Sequence, residues 1–200
     1  MHRSDRRPEA VSVLAPDDVP AVVSVLAESF HDYPVMRFVL GETGDYDARL
    51  ETLITFFVMA RALRDETLLG VRGEDGLVAT ALVSRPGAGP SPASLLELRE
   101  ETWATLGAAE RSRYEAFGAA TEPFAVAADH LHLNMIGVRP AAQGRGLGRR
   151  LLEAVHARSA ADAASAGVSL STELETNVPL YRHFGYEVLG SADVGSAFTT

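Results

Sequence analysis

The order of strands and helices in the last seventy residues most constrains the fold of this 200-residue chain. Apolar periodicity predicts a strand over His130–Val138, a long alanine-rich helix from Leu147 to about Ala166 and a strand over Val168–Glu173. A short helix over Val178–Phe184 and a strand over Tyr186–Gly190 follow. Because a helix between two strands is typical of a parallel crossover, we expect an α/β fold with helices packed on the sheet.

The first half of the chain adds a hairpin and several helices to this plan. Pro16–Asp18 is expected to supply the N-cap of the first helix, and His31–Pro34 to break it. The predicted elements are a strand over Val11–Leu14, helices over Val19–Phe30 and Tyr46–Leu63, a hairpin of Thr67–Arg72 and Leu77–Ser84, a surface loop over Arg85–Pro92, and helices over Ser94–Leu106 and Ala109–Phe117. We expect residues 1–10 to form a flexible tail and residues 11–200 a single domain.

Two absences from the composition exclude whole classes of chemistry. The chain has no cysteine, so it has no disulfide, no thiolate nucleophile and no acyl-cysteine intermediate. All 18 basic residues are arginine, which excludes a Schiff-base lysine and the phosphate loop that needs one. The remaining composition, 46% hydrophobic and 22% charged, is that of a globular domain able to bury a core.

Charge and hydropathy predict where the protein works and what it meets. No apolar run approaches the roughly 18 residues of a membrane span, and the charged start does not resemble a signal peptide. We therefore expect a cytoplasmic protein with no membrane partner. The net charge of −9 argues against nucleic acid as the main partner, because phosphate backbones are bound by extended basic surfaces.

The glycine-rich segment Val138–Arg150 indicates an anion site. Gly144, Gly146 and Gly148 stand at alternate positions between the apolar strand and the long helix. Alternating glycines let the backbone approach a ligand, and a helix N-terminus presents free N–H groups with the positive end of its dipole. Residues 139–158 carry a net charge of +4 and the rest of the chain −13, which fits a pyrophosphate at this turn.

The same glycine pattern has alternative interpretations. A tight connection between strand and helix would also use glycine. A dinucleotide-binding fingerprint fits poorly, since it needs glycine at the position of Arg149 and should follow its strand directly. Arg149 and Arg150 are equally well explained as solvated charges on the helix surface.

The segment Gln143–Gly148 resembles the acyl-CoA pyrophosphate loop of the GNAT superfamily of N-acetyltransferases. The family pattern Arg/Gln-x-x-Gly-x-Gly/Ala is filled by Gln143, Gly146 and Gly148. The context agrees, because Val138-x-Pro140 precedes the loop, a long helix follows it, and Asn177–Tyr186 is similar in type to a second family signature. Residues 27–34 and 174–181 are also similar to segments of the puromycin N-acetyltransferase subgroup.

This resemblance implies a mixed, splayed sheet and acetyl-CoA as co-substrate, with no metal. The pantetheine arm of acetyl-CoA is expected to pair with the backbone of the strand before the loop. The implied cofactor-binding residues are Ile136, Gly137, Val138, Gln143, Gly144, Arg145, Gly146, Leu147, Gly148, Arg149 and Asn177. Asn177 has a second interpretation as a helix cap.

The resemblance also implies direct attack of an amine on the thioester in a ternary complex. Tyr181 resembles the family tyrosine that protonates the departing thiolate, although packing against the core would also account for it. The candidates for the base are Glu173, His132 or His130, with water as the alternative. Strand alternation predicts His130, His132 and Asn134 on one face and Leu131, Leu133 and Met135 on the other.

The acceptor end of the site is the least defined by the sequence. Phe30 and Tyr33 match the place where the first helices of the family form the acceptor wall, although Phe30 also suits the end of the first helix core. The expected partner is a small-molecule amine, and the chain is expected to be a monomer or a homodimer. The alternative is a non-catalytic module of the same fold that binds acyl-CoA or a small ligand. The final strand of the family is expected to be shortened here, supplied by a partner subunit or absent.

Overall fold

The computed structural model describes residues 10–87 and 89–200. Five strands form its main sheet in sequence order. They are β1 (Val11–Val13), β2 (Thr67–Gly73), β3 (Gly76–Ser84), β4 (Leu131–Val138) and β5 (Val168–Ser169). Neighbouring strands are antiparallel except β4 and β5, which run parallel. The predicted mixed α/β sheet with a parallel crossover is confirmed. The predicted tail lies outside the described residues, apart from Ala10.

Helices cover both faces of this sheet. They are α1 (Val19–Ser29), α2 (Pro34–Leu40), α3 (Tyr46–Ala62), α4 (Ala93–Leu106), α5 (Ala108–Thr121), α6 (Leu147–Ala161) and α7 (Val178–His183). One core cluster joins α1 to α4 with Leu68, Leu82 and Met135 of the sheet. A second cluster packs Leu151 and Val155 of α6 on the opposite face. Among the described helices, none is both long and apolar enough to span a membrane.

The start of the chain departs from the expectation at two points. The break after α1 is followed at once by α2, which the sequence analysis missed. Tyr33 is extended, and Pro34 stands in the first turn, where its fixed φ favours a new helix. Asp18 makes no side-chain cap bond to α1, because its carboxylate accepts a hydrogen bond from the Ala15 amide and pairs with Arg72.

The end of the chain departs further. The helix expected to reach Ala166 ends at Ala161, and β5 keeps only two of the six predicted residues. No strand forms over Tyr186–Gly190, where Val188 and Leu189 are exposed and lack a partner strand. Strand propensity alone does not form a strand without a neighbour to pair with.

A short ribbon closes the C-terminal region instead. Strands β6 (Asp193–Val194) and β7 (Phe198–Thr199) are antiparallel to each other. Phe198 packs edge-on against Phe38 of α2 and contacts Phe117 of α5. Among the described residues, β6 and β7 pair only with each other, so neither closes the main sheet.

Candidate active site

The two parallel strands separate soon after they meet. β5 pairs with β4 only at Leu131 and His132, whereas β4 remains paired with β3 as far as Val138. Beyond His132, the described residues place no strand along the second edge of β4. Backbone N–H and C=O groups on this edge can therefore bind an extended ligand. A cleft of about 1840 Å³ opens at this fork.

A bulge interrupts β4 inside the fork. Leu133 lies opposite Val83 and Met135 opposite Leu82, so Asn134 is an extra residue in the strand. The bulge reverses the expected alternation, because Leu133 packs with the α6 cluster and Met135 with the cluster on the other face. The prediction that Met135 shares a face with Leu131 and Leu133 is therefore wrong.

The glycine-rich turn follows β4 and opens α6. Gly144 and Gly146 have φ values of 74° and 75°, a left-handed conformation that side chains with a Cβ rarely adopt. A Cβ added at either position would meet no other atom within 4 Å, so the backbone conformation and not crowding requires glycine. The first N–H groups of the 15-residue α6 have no intrahelical acceptor and carry the positive end of its dipole.

The side chains around this turn have different tasks. Gln143 Nε2 donates to the carbonyl of Val138 at 3.4 Å and ties the turn to the end of β4. Arg139 donates to the carbonyl of Leu77 and forms an ion pair with Glu28 of α1. The ion pair neutralises Arg139, which the sequence analysis counted in the positive charge of the segment. The local positive field is therefore weaker than the +4 suggests.

The other predicted cofactor residues also lie at or near the turn. Arg145 is exposed between the two left-handed glycines, and Leu147 directs its side chain into the core. Gly148 packs close to Val138. Arg149 lies over the ring of Phe184, 5.6 Å from its centroid, and 3.5 Å from His183 Nε2, so it also bridges α6 to the end of α7.

A hydrogen-bonded group forms the other end of the cleft. The Tyr33 hydroxyl accepts from the amide of Glu173 at 3.2 Å and lies 3.3 Å from Thr172 Oγ1. Asn177 Nδ2 donates to the same Thr172 oxygen at 3.2 Å and makes no cap bond to α7. Thr200 Oγ1 donates to Glu173 Oε1 at 2.7 Å. The structure thus joins Asn177 through Thr172 to Tyr33, which the sequence analysis expected at the acceptor wall, although the resemblance implied a cofactor contact for Asn177.

Glu173 and Tyr181 both line the cleft. Burial raises the pKa of the Glu173 carboxyl above its usual range. Burial, together with the charge of Glu173, also raises the pKa of Tyr181, which is therefore a protonated phenol at neutral pH. The raised pKa makes the Glu173 carboxylate a stronger base, which suits a proton acceptor. The Tyr181 phenol keeps its proton at neutral pH, which suits a proton donor.

Tyr181 is supported from the side by a second tyrosine. The ring of Tyr186 meets it edge-on, with 5.7 Å between centroids, and the Tyr186 hydroxyl lies 2.9 Å from His156 Nε2. Tyr181 also packs against the cluster on the α6 face. Its packing role is therefore compatible with its position in the cleft.

The two histidine candidates occupy different environments. His132 stands at the fork, with Nδ1 2.8 Å from Ser169 Oγ. Burial, with smaller contributions from the charges of His130 and Arg61, lowers the pKa of His132 to about 4. His130 precedes β4, is buried, and has Nδ1 2.7 Å from the carbonyl of Ala128. His132 is therefore neutral at pH 7, and its weak basicity makes it a poorer proton acceptor than its position suggests.

Some residues of the site escaped the sequence analysis. No motif of the sequence contains Thr172, Thr200 or His156, and the signature that ends at Tyr186 does not indicate its contact with His156. These residues meet their partners only because the fold joins distant segments. Phe30, predicted at the acceptor wall, lines the cleft and packs on Tyr33 with 4.9 Å between ring centroids. Within residues 10–87 and 89–200, no group of three or more acidic or histidine side chains is arranged to hold a metal ion.

Comparisons with known proteins agree with this architecture. Residues 101–188 match the model of the acetyltransferase (GNAT) domain. A Corynebacterium glutamicum protein described as histone acetyltransferase HPA2 and related acetyltransferase is 21% identical, with a TM-score of 0.68 over 95% of this chain and 93% of that one. Drosophila melanogaster polyamine N-acetyltransferase is 18% identical, with a TM-score of 0.57 over 90% and 85%.

A third solved structure contains the ligand that the resemblance implies. It is a GNAT family acetyltransferase from Brucella melitensis in complex with acetyl-CoA, 16% identical, with a TM-score of 0.51 over 89% of this chain and 82% of that one. At these identities the likeness is one of fold, and that fold is the GNAT fold.

Proposed function

We propose, on the match of residues 101–188 to the acetyltransferase (GNAT) domain, that the chain is an acetyl-CoA-dependent N-acetyltransferase acting on a primary amine of a small molecule. The observation that carries the proposal is the continuity of the open β4 edge with the glycine-rich turn. The groove formed by this edge begins at His132 and runs to Val138, whose carbonyl accepts a hydrogen bond from Gln143 of the turn that opens α6. A ligand with an anionic end and an extended amide-containing arm is complementary to this groove.

The residues present fit acetyl-CoA as co-substrate. The backbone of Ile136, Gly137 and Val138 would hold the pantetheine arm, and the amides from Gly144 to Gly148 would hold the pyrophosphate. The open space around Gly144 and Gly146 leaves room for phosphate oxygens close to the backbone. Bound there, acetyl-CoA supplies an activated acetyl thioester.

The chain's own groups supply the proton transfers and the charge stabilisation. A backbone N–H of β4 is suited to stabilise the oxyanion that forms at the acetyl carbonyl. Glu173 would remove a proton from the ammonium group of the acceptor, directly or through water, so that the neutral amine attacks. Tyr181 would protonate the departing thiolate, and the nitrogen proton released as the amide forms would restore the Tyr181 phenol. Because the chain has no cysteine, no acyl-cysteine intermediate can form, and direct attack in a ternary complex is the consistent route.

The nature of the acceptor is narrowed by the acidic lining of the cleft. Glu115, Glu122, Glu173, Glu175 and Glu187 line it, against Arg61 and Arg182. This balance favours a cationic amine through electrostatic attraction. The Drosophila structural neighbour forms N-acetylagmatine, which agrees with a cationic acceptor.

The test measures binding and turnover separately on the purified chain. Thermal unfolding should shift upward with acetyl-CoA, by about 2.7 kcal/mol of unfolding free energy at a hundred times Kd. Free CoA is then measured with agmatine, spermidine, tyramine and puromycin as acceptors, the last because residues 27–34 and 174–181 resemble that subgroup. No shift with acetyl-CoA contradicts the proposal, and a shift without CoA release from any amine supports the non-catalytic module.

A further inference from the structure

The bulge residue Asn134 is a polar group that the mechanism above does not use. It lines the cleft in the part of β4 that has lost its neighbour strand. Its Oδ1 is buried and has no hydrogen-bond partner among the described residues. A buried carbonyl oxygen without a donor is uncommon and unfavourable in a folded protein, so a donor is expected to reach it in the working state.

The position of Asn134 along β4 indicates which end of a bound ligand it meets. Strands rise about 3.3 Å per residue, so Asn134 lies about 7 Å from His132 at the fork and about 13 Å from Val138 at the turn. A ligand anchored by its anion at the turn extends along β4 toward the fork. Its reacting end, and the amine that attacks it, therefore lie nearer to Asn134 than its phosphates do.

On these observations, and resting on the proposed function, we propose that Asn134 binds the amino group of the acceptor and orients it for attack. Oδ1 accepts a hydrogen bond from one N–H of the amine, and this leaves the nitrogen lone pair free to face the thioester. The terminal torsion of asparagine is soft, so the carboxamide can turn Oδ1 toward the ligand at little expense.

A neutral hydrogen-bond acceptor suits the task of orienting the amine better than a carboxylate does. A carboxylate in contact with the amine would stabilise the ammonium form, which has no lone pair for attack. A carboxamide oxygen accepts a hydrogen bond from the neutral amine without favouring the ammonium form as a carboxylate does. The two side chains thus have different roles. Glu173 accepts the proton of the ammonium group, and Asn134 orients the resulting neutral amine.

The test compares two substitutions of similar size in the full chain. Asn134→Leu removes the hydrogen bond, and we expect it to lower kcat/KM for the best amine of the panel about tenfold, with CoA affinity by calorimetry unchanged within twofold. Asn134→Asp keeps the shape and adds a charge, so the rise of kcat/KM with pH should move to higher pH. A merely structural role would not produce that shift.

Three outcomes overturn the inference. An unchanged kcat/KM in Asn134→Leu means that the amine does not use this oxygen. A loss of CoA affinity with an equal loss of kcat/KM assigns the oxygen to a pantetheine amide instead. An absence of amine acetylation by the wild-type chain removes the proposed function and this inference together, whereas normal wild-type turnover with an unaffected variant removes the inference alone. Thermal unfolding of each variant shows whether it is folded.

Discussion

The hydroxyl of Thr200 donates a hydrogen bond to Oε1 of Glu173 at 2.7 Å, although 27 residues separate the two along the chain. A donor to the carboxylate stabilises its charged form and opposes the effect of burial, which raises the Glu173 pKa. Thr200→Val should therefore raise that pKa further. If Glu173 is the base, the acid limb of the pH profile of kcat/KM moves to higher pH, while the plateau at high pH changes little.

A matched control lies one residue away. The exposed Thr199 donates to Asp193 within the ribbon, and no hydrogen bond among the described residues joins its side chain to Glu173. Thr199→Val should leave the pH profile in place. A profile that is identical in Thr200→Val and the wild type would remove Glu173 from the proton transfer.

Acid stability should depend on His132. Its pKa is about 4 in the folded chain against 6.5 for an ordinary histidine, so the unfolded chain binds the proton more tightly. The contribution of His132 to the free energy of unfolding is therefore largest above pH 6.5. It decreases by about 3 kcal/mol as the pH falls toward 4. Urea unfolding of the wild type and His132→Gln at pH 7, 5.5 and 4 measures this. The variant should lose that much less stability across the range, and equal losses in both proteins would contradict the prediction.

Substitutions of the neighbouring Tyr181 and Tyr186 should differ in their effects on kcat. Tyr181 lines the cleft, and if it is the acid, Tyr181→Phe should lower kcat by about 10- to 100-fold, with little change in acetyl-CoA affinity. Tyr186→Phe removes the hydroxyl that contacts His156 but keeps the ring that packs against Tyr181, so its effect on kcat should be several times smaller. Steady-state kinetics and calorimetry on both variants test this. Equal kcat in Tyr181→Phe and the wild type would leave packing as the role of Tyr181.

The glycine at the start of α6 should be required for its backbone conformation. Gly146→Ala places a Cβ at a φ of 75°, which costs roughly 1–2 kcal/mol of folding free energy and distorts the anion-binding amides. We expect lower thermal stability and weaker CoA binding. Gly118→Ala is the matched control, since Gly118 lies in the last turn of α5 with nothing within 4 Å of an added Cβ.

The control should behave in the opposite direction. Alanine is favoured over glycine inside a helix by about 0.5–1 kcal/mol, so Gly118→Ala should raise stability and leave CoA affinity unchanged. Equal CoA affinity in Gly146→Ala and the wild type would show that the turn does not hold the phosphates.

The parts of the fold that the sequence predicts well are those with long, local patterns. The apolar stripe of α3, the hairpin of β2 and β3, and the succession of β4, glycine-rich turn and α6 follow from periodicity and turn chemistry within one segment. The helix α2 was missed because Pro34 signals both the end of one helix and the first turn of the next. The bulge at Asn134 has no local signal, because it depends on the register with β3.

The amino-acid sequence by itself determined the chemistry that is open to this protein. The absence of cysteine and lysine excludes an acyl-cysteine intermediate and a Schiff-base lysine and leaves any anion binding to backbone amides and arginine, and on the proposed function the signature around Tyr181 favours direct acyl transfer. Only the tertiary structure decided where the cleft opens and which side chains meet in it. Strand pairing, bulges and contacts such as Tyr33 with Thr172 or Thr200 with Glu173 are free-energy differences among distant segments, which no local pattern encodes.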